Sequence, residues 1–342
     1  MPIPFAVLAA VSTLSLYTGP EPEKTALYRD WITGCDNVRN CAAVALAPVG
    51  DVGADHLEVM IEQPLGHQLE PVVTIKVPPG SVKLALTIDA APVVLPPREG
   101  ERLVFRGPLA RPLVQALRGG NVAVLRDAAS GKQLARASLA GLTAALLWID
   151  AQQGKTGTPR ALVRTGNRRF VDDLPGYSVT LTRPPRGDRP PTQPDAGQLA
   201  KLNAAETCVS ASKNPAEPPR LIRLDRDNSM LIVPRRCGSG AYNAEASIMI
   251  VDGFGEMKPA TFDYDIGVTG DGPGNVVVNV GWNESARVLE SHILHRALGD
   301  CGKVDRFIWN GKQFRLSEQR VMPECRGSFE RIAVWKVDVI EQ

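Results

Sequence analysis

Apolar and polar positions alternate through most of this chain in short runs, the period of half-buried strands and not of helices. The clearest run is 82–88, where Val82, Leu84, Leu86 and Ile88 share one face and Lys83, Ala85 and Thr87 the other. Similar runs predict strands over 57–61, 72–77 and 122–125, punctuated by the turns Pro78-Pro79-Gly80 and Pro96-Pro97-Arg98-Glu99-Gly100. Two stretches shift to a helical period. One covers 109–117 and stops at Gly119-Gly120; the other covers 139–153, with Leu139, Leu142, Leu146 and Ile149 on one stripe. Ser138 is placed to cap the second helix and Gly154 to end it.

From 155 to 198 the pattern lapses. Lys155 to Arg189 carries eight basic and three acidic residues, and Pro184, Pro185, Pro190, Pro191 and Pro194 follow closely. So few apolar side chains predict a charged, semi-extended connector. Beyond it a helix is expected over 199–208, then strands over 219–225, 229–234, 245–252, 261–268, 275–280, 286–294, 306–309, 313–322 and 331–337. Asn310-Gly311 has the chemistry of a type I′ hairpin turn. The expectation is mainly β with a few short helices: two antiparallel β-sandwich or barrel-like domains at 21–154 and 199–342, joined by a linker at 155–198.

Composition narrows the partners. With 39 basic and 37 acidic residues the net charge is +2, which offers no basic face and excludes a nucleic-acid partner. The apolar run within 1–17 has the length of a signal-peptide core and is too short for a stable transmembrane anchor, so residues 1–20 are expected to direct export. No later stretch reaches transmembrane length. The six cysteines form three local pairs, Cys35–Cys41, Cys208–Cys237 and Cys301–Cys325, expected as disulfides that staple each half separately. Their spacing does not suit zinc, and no Cys-x-x-Cys pair is present. The small loop between Cys35 and Cys41 is expected to be exposed, which leaves a redox-labile bridge there as an alternative.

Candidate chemistry is thin. The histidines are His56, His67, His292 and His295; no nucleophile elbow, metalloprotease helix or phosphate-binding loop occurs. Gly238-Ser239-Gly240 suits a turn, or an anion cradle. In a strand Asp263 and Asp265 would share a face, and Trp31, Tyr242, Trp282, Trp309 and Trp335 read as core. No catalytic residue, metal or cofactor is assigned.

Asp30-Trp31, Cys35-Asp36-Asn37 and Cys41-Ala42-Ala43 open a set of blocks running through Ser138–Leu146, Trp148-Ile149-Asp150, Gln153-Gly154 and Gly157-Thr158-Pro159. They resume at Cys237, Gly240–Asn243, Leu298–Gly302, the 309–314 hairpin and Cys325-Arg326-Gly327. Together they resemble the bacterial periplasmic family of domain of unknown function 1176. The first half is more distantly similar to the invasion-associated locus B proteins, without the extra cysteine pair those proteins carry near the positions of Arg106 and Pro108. The resemblance implies export to the periplasm of a Gram-negative bacterium, or association with its outer envelope, and brings no reaction, cofactor or catalytic residue. The expected function is a non-catalytic module binding an envelope protein or a small ligand. The expected contacts are the cleft between domains, the loop 35–41, and Tyr242, Asn243, His295 and Asp300. The alternative is a periplasmic hydrolase built on His295 and Asp300 with Tyr242 or Asp263.

Overall fold

The computed structural model describes residues 19–51, 55–66, 69–80, 83–170, 178–205, 218–235, 240–267 and 274–342. The apolar N-terminal run, His67, Gly238-Ser239 and the Cys208–Cys237 pair lie outside these residues.

The first half is organised on a seven-stranded antiparallel sheet in the order Ala26–Tyr28, Trp31–Cys35, Cys41–Ala45, Val59–Gln63, Val72–Lys76, Arg102–Phe105, Arg98–Glu99. A four-stranded sheet (Gln133–Ser138, Val122–Asp127, Leu84–Ile88, Ala91–Val93) and the helices α1 (Ala110–Gly119) and α2 (Leu142–Gln152) cover one of its faces, burying Trp31, Ile61, Phe105, Leu117, Leu125, Leu146 and Ile149 in a single core. Both helices fall where their periodicity put them. The cap does not: Ser138 ends a strand, and α2 starts after Gly141, which adopts a left-handed φ of +99°. The Ser138 hydroxyl accepts the Ala140 N–H and shapes the intervening turn.

The expected connector is partly packed. Asp150 Oδ1 and Oδ2 accept the Leu162 and Val163 N–H groups at 2.8 and 2.9 Å, and Lys155, Thr158, Ala161 and Leu162 are buried. Further on, Thr180–Arg183 runs parallel to Asp338–Glu341. A third helix, α3, spans Ala196–Ala205.

In the second half, one five-stranded sheet runs Gly281–Asn283, Val288–Leu294, Gly302–Trp309, Phe314–Met322, Ile332–Lys336. Another comprises Arg220–Arg223, Ser229–Pro234, Glu245–Val251 and Met257–Pro259, with Val276–Val278 also pairing to Glu245–Val251. Their facing side chains, among them Met230, Ile248, Leu289, Phe307, Phe314 and Trp335, form a second core. Every sheet among the described residues has open edges, so no barrel is formed. The described part of the expected strand 261–268, residues 261–267, is not a strand: Phe262 forms an isolated bridge to Phe314, and Asp263 turns back to accept the Leu316 N–H at 2.8 Å. The Asn310-Gly311 turn is a four-residue loop, not the two-residue type I′ form. Asn310 Oδ1 accepts the Lys312 and Gln313 N–H groups, and positive φ is confined to Gly311.

A third apolar cluster joins the halves. Ile32, Ala42, Val44, Leu46 and Met60, on the outer face of the seven-stranded sheet, pack on Cys301, Met322, Ile332 and Val334. The seven-stranded sheet is thus covered on both sides along this seam. That explains two strands without an alternating pattern: every residue of Trp31–Cys35 and Cys41–Ala45 is buried.

Candidate functional site

Strands Trp31–Cys35 and Cys41–Ala45 form a hairpin whose facing ends, Cys35 and Cys41, are joined by a disulfide. The Asp36 carboxylate organises the loop, accepting the Val38 N–H at 3.1 Å, the Asn40 N–H at 2.8 Å and the Asn40 amide at 3.1 Å. Burial pushes the Asp36 pKa up against the lowering effect of those bonds and of Lys336. The loop is exposed at Asn40 but covered, contrary to expectation, at Asp36 and Asn37, which are 2% exposed. Both halves cover it: Gln153 Nε2 donates to Arg39 O at 2.7 Å, and the Lys336 N–H donates to Asn37 Oδ1 at 2.7 Å.

Beside this hairpin the seam opens into a cavity of about 250 Å³. Asp36, Asn40, Cys41, Ala42, Met60, Glu62 and Pro64 form one wall; Arg320, Ala333 and Lys336 form the other. Acidic groups therefore come from the first half and basic groups from the second. Strand geometry sets this arrangement: Met60 and Glu62, two apart, share the seam face, so the apolar seam ends in a carboxylate. Arg320 is held by a row of charges across the opposite sheet. Arg306 Nε donates to Glu290 Oε1 at 2.7 Å, Arg306 also bonds Glu318, and Arg320 Nε donates to Glu318 Oε1 at 2.7 Å. Burial opposes ionisation of Glu318, but Arg320 and Arg306 hold its carboxyl below the usual range.

Away from the cavity, polar contacts tie the halves. Arg326 reaches Ala47 O at 2.7 Å, Arg29 O at 2.7 Å and Asp30 Oδ1 at 2.6 Å. The Phe329 N–H donates to Glu58 Oε2 at 2.7 Å, and Arg102 pairs with Glu330 at 2.8 Å. Cys301–Cys325 is also formed; it places Arg326 one residue beyond the bridge.

The four contact residues expected from sequence gather at one end of strand Val288–Leu294, but mainly as structural groups. Asn243 bonds the Leu294 backbone twice, at 2.9 and 3.0 Å, and the Tyr242 hydroxyl donates to His295 O at 3.3 Å. Asn279 knits the turn together, donating to Tyr242 O, Asn243 Oδ1 and His292 O. His295 is exposed, whereas Asp300 is buried and engaged elsewhere: Arg296 grips both carboxylate oxygens, and the Gly327 N–H donates to Oδ2 at 2.8 Å. Asp263 is likewise taken by Arg315 and the Leu316 N–H. Among the described residues no group of three or more His, Cys, Asp or Glu side chains could hold a metal ion.

Burial acts to raise the Asp300 pKa, yet the Arg296 and Gly327 bonds overcome it and hold the carboxyl below its usual range. A depressed folded-state pKa stabilises above the unfolded value of about 3.9, and that contribution is lost as pH falls through the folded value. Asp300→Asn should therefore flatten the acid limb of stability against pH. Denaturant titrations from neutral to acid pH check this, and an acid limb identical to wild type would contradict it.

Glu62, Arg320 and Lys336 were not singled out from sequence. The signal available was the alternation of Glu318 and Arg320 within an expected strand, which puts two charges on one face.

Residues 25–339 match the family described as "Protein of unknown function (DUF1176)". The chain belongs to the DUF1176 family. A curated relative, "Uncharacterized protein YpfG" of Escherichia coli (strain K12), is 26% identical over 234 residues, covering 62% of this chain and 60% of the relative. This DUF1176 chain thus matches less than two thirds of that relative's length. Among solved structures, that of invasion associated protein b from Bartonella henselae is similar at 20% identity and a TM-score of 0.30, covering 38% of this chain and 99% of that one. In this DUF1176 protein the blocks that carry the family resemblance meet at the seam. Asp30 of the first block pairs with Arg326 of the last, and the block at Asp36-Asn37 also touches Lys336 of the second half.

Proposed function

We propose that this protein is a non-catalytic binding module of the bacterial cell envelope, and that the seam cavity is where it takes a small ligand or a short partner segment. One observation carries the reading: both halves contribute opposed charged groups to a single cavity floored by apolar side chains. Ligand sites commonly sit where two packed units meet, with a few polar groups fixing orientation in an apolar surround. An oxidising compartment such as the periplasm fits the two disulfides, with no free cysteine among the described residues. A third bridge, Cys208–Cys237, belongs to the same proposal. The hydrolase alternative has less support, because Asp300 and Asp263 spend their carboxylates on Arg296 and Arg315.

The test is a thermal-shift screen of the full chain against small polar metabolites, run beside an Ala333→Phe variant that fills the cavity. A ligand at about 100 times its Kd stabilises the folded state by about 2.7 kcal/mol. Wild type should gain stability with at least one compound while Ala333→Phe does not. Equal shifts in both proteins, or none in wild type, would overturn the reading.

A further inference from the structure

We infer that the seam cavity is built for a small zwitterion, a free amino acid or dipeptide with an apolar body; this rests on the reading of the cavity as a ligand site. At about 250 Å³ it is smaller than the sites that hold drug-sized ligands. Its charges are separated by wall: Glu62 on the first half faces Arg320 and Lys336 on the second. Among the described residues the Glu62 carboxylate and Lys336 Nζ make no hydrogen bond or close ion pair, and Lys336 acts at longer range on Asp36, which lines the same wall as Glu62. Arg320 is anchored through Nε to Glu318, which fixes the guanidinium while its two terminal amino groups have no partner among the described residues. An anchored guanidinium beside an ammonium is a ready carboxylate site, and an opposing free carboxylate is a ready ammonium site. Met60 and Ala333 supply apolar surface between them. A singly charged ligand would pair with only one of these sets, whereas a zwitterion pairs with both.

Isothermal titration calorimetry on the full chain decides this with four probes: leucine, alanyl-leucine, N-acetyl-leucine without the ammonium, and leucinamide without the carboxylate. At least one zwitterion should bind, and each blocked leucine should lose about tenfold or more in affinity. The two zwitterions separate an amino-acid from a dipeptide site. Glu62→Gln should erase the preference over N-acetyl-leucine, Lys336→Gln should weaken the preference over leucinamide while Arg320 keeps part of it, and Ala333→Phe should abolish all binding. Blocked and free forms binding alike would overturn the inference, as would unchanged discrimination in both charge variants. Absence of binding by either zwitterion would overturn it too. None of these three results touches the wider reading, which stands or falls on the metabolite screen with Ala333→Phe.

Discussion

Replacing Arg326 by methionine should destabilise the protein by about 3 kcal/mol or more. The side chain makes three hydrogen bonds across the seam, to Arg29 O, Ala47 O and Asp30 Oδ1, and the Arg326–Asp30 pair is only 12% and 14% exposed. Methionine keeps much of the volume and removes the charge. It leaves the Asp30 carboxylate nearly buried without its cation, and two carbonyls short of a donor; stranded groups of this kind account for most of the loss. Urea denaturation of wild type, Arg326→Met, Asp30→Asn and the double variant checks the claim. The two single losses should overlap strongly in the double, because each removes the same pair. A cost below about 1 kcal/mol for Arg326→Met, the size of an exposed pair, would show that the contact does not hold the halves.

Gly141→Ala should cost at least as much, about 3 kcal/mol or more, for a steric reason. A Cβ at this position would lie 1.8 Å from Tyr28 O and 2.7 Å from Tyr28 C, at a φ of +99°. The obstruction is backbone, not a side-chain tip that could swing away. It arises because the 138–142 turn packs directly on the start of strand Trp31–Cys35, where the Asp30 N–H donates to Ala140 O at 3.1 Å and Trp31 Nε1 donates to Ser138 O at 3.0 Å. Gly131 is the internal control. Its φ is +70° but nothing lies within 4 Å of an added Cβ, so Gly131→Ala should cost only the left-handed backbone penalty of about 1–2 kcal/mol. Equal denaturation midpoints for the two variants would contradict the packing described here.

Elements with a clear period were legible in the sequence, and so was the apolar run of Ser229–Pro234, although it is buried on both faces; the two strands at the centre of the seam were not. The helix expected over 109–117 is α1, and the strand expected over 122–125 falls within Val122–Asp127, since each shows its period against less buried positions. Trp31–Cys35 and Cys41–Ala45 have no such period because one face packs on the first core and the other on the seam. Cysteine locality correctly paired Cys35 with Cys41 and Cys301 with Cys325. The candidate site was harder. Spacing linked Asp300 to His295, but a guanidinium four residues away offers a bidentate partner and takes the carboxylate first. The cavity was legible only as a loop and a cleft, because Glu62 and Lys336 are brought together by two sheets that no local pattern relates.

The central claim is that the two halves share one packed seam secured by Arg326. Native-state hydrogen exchange, read by mass spectrometry on wild type and Arg326→Met, addresses it most directly. Peptides from 31–46 and from 320–336 should lose protection together in the variant, while those from 220–234 hold theirs. Unchanged protection at the seam, or loss on one side of it alone, would contradict the account.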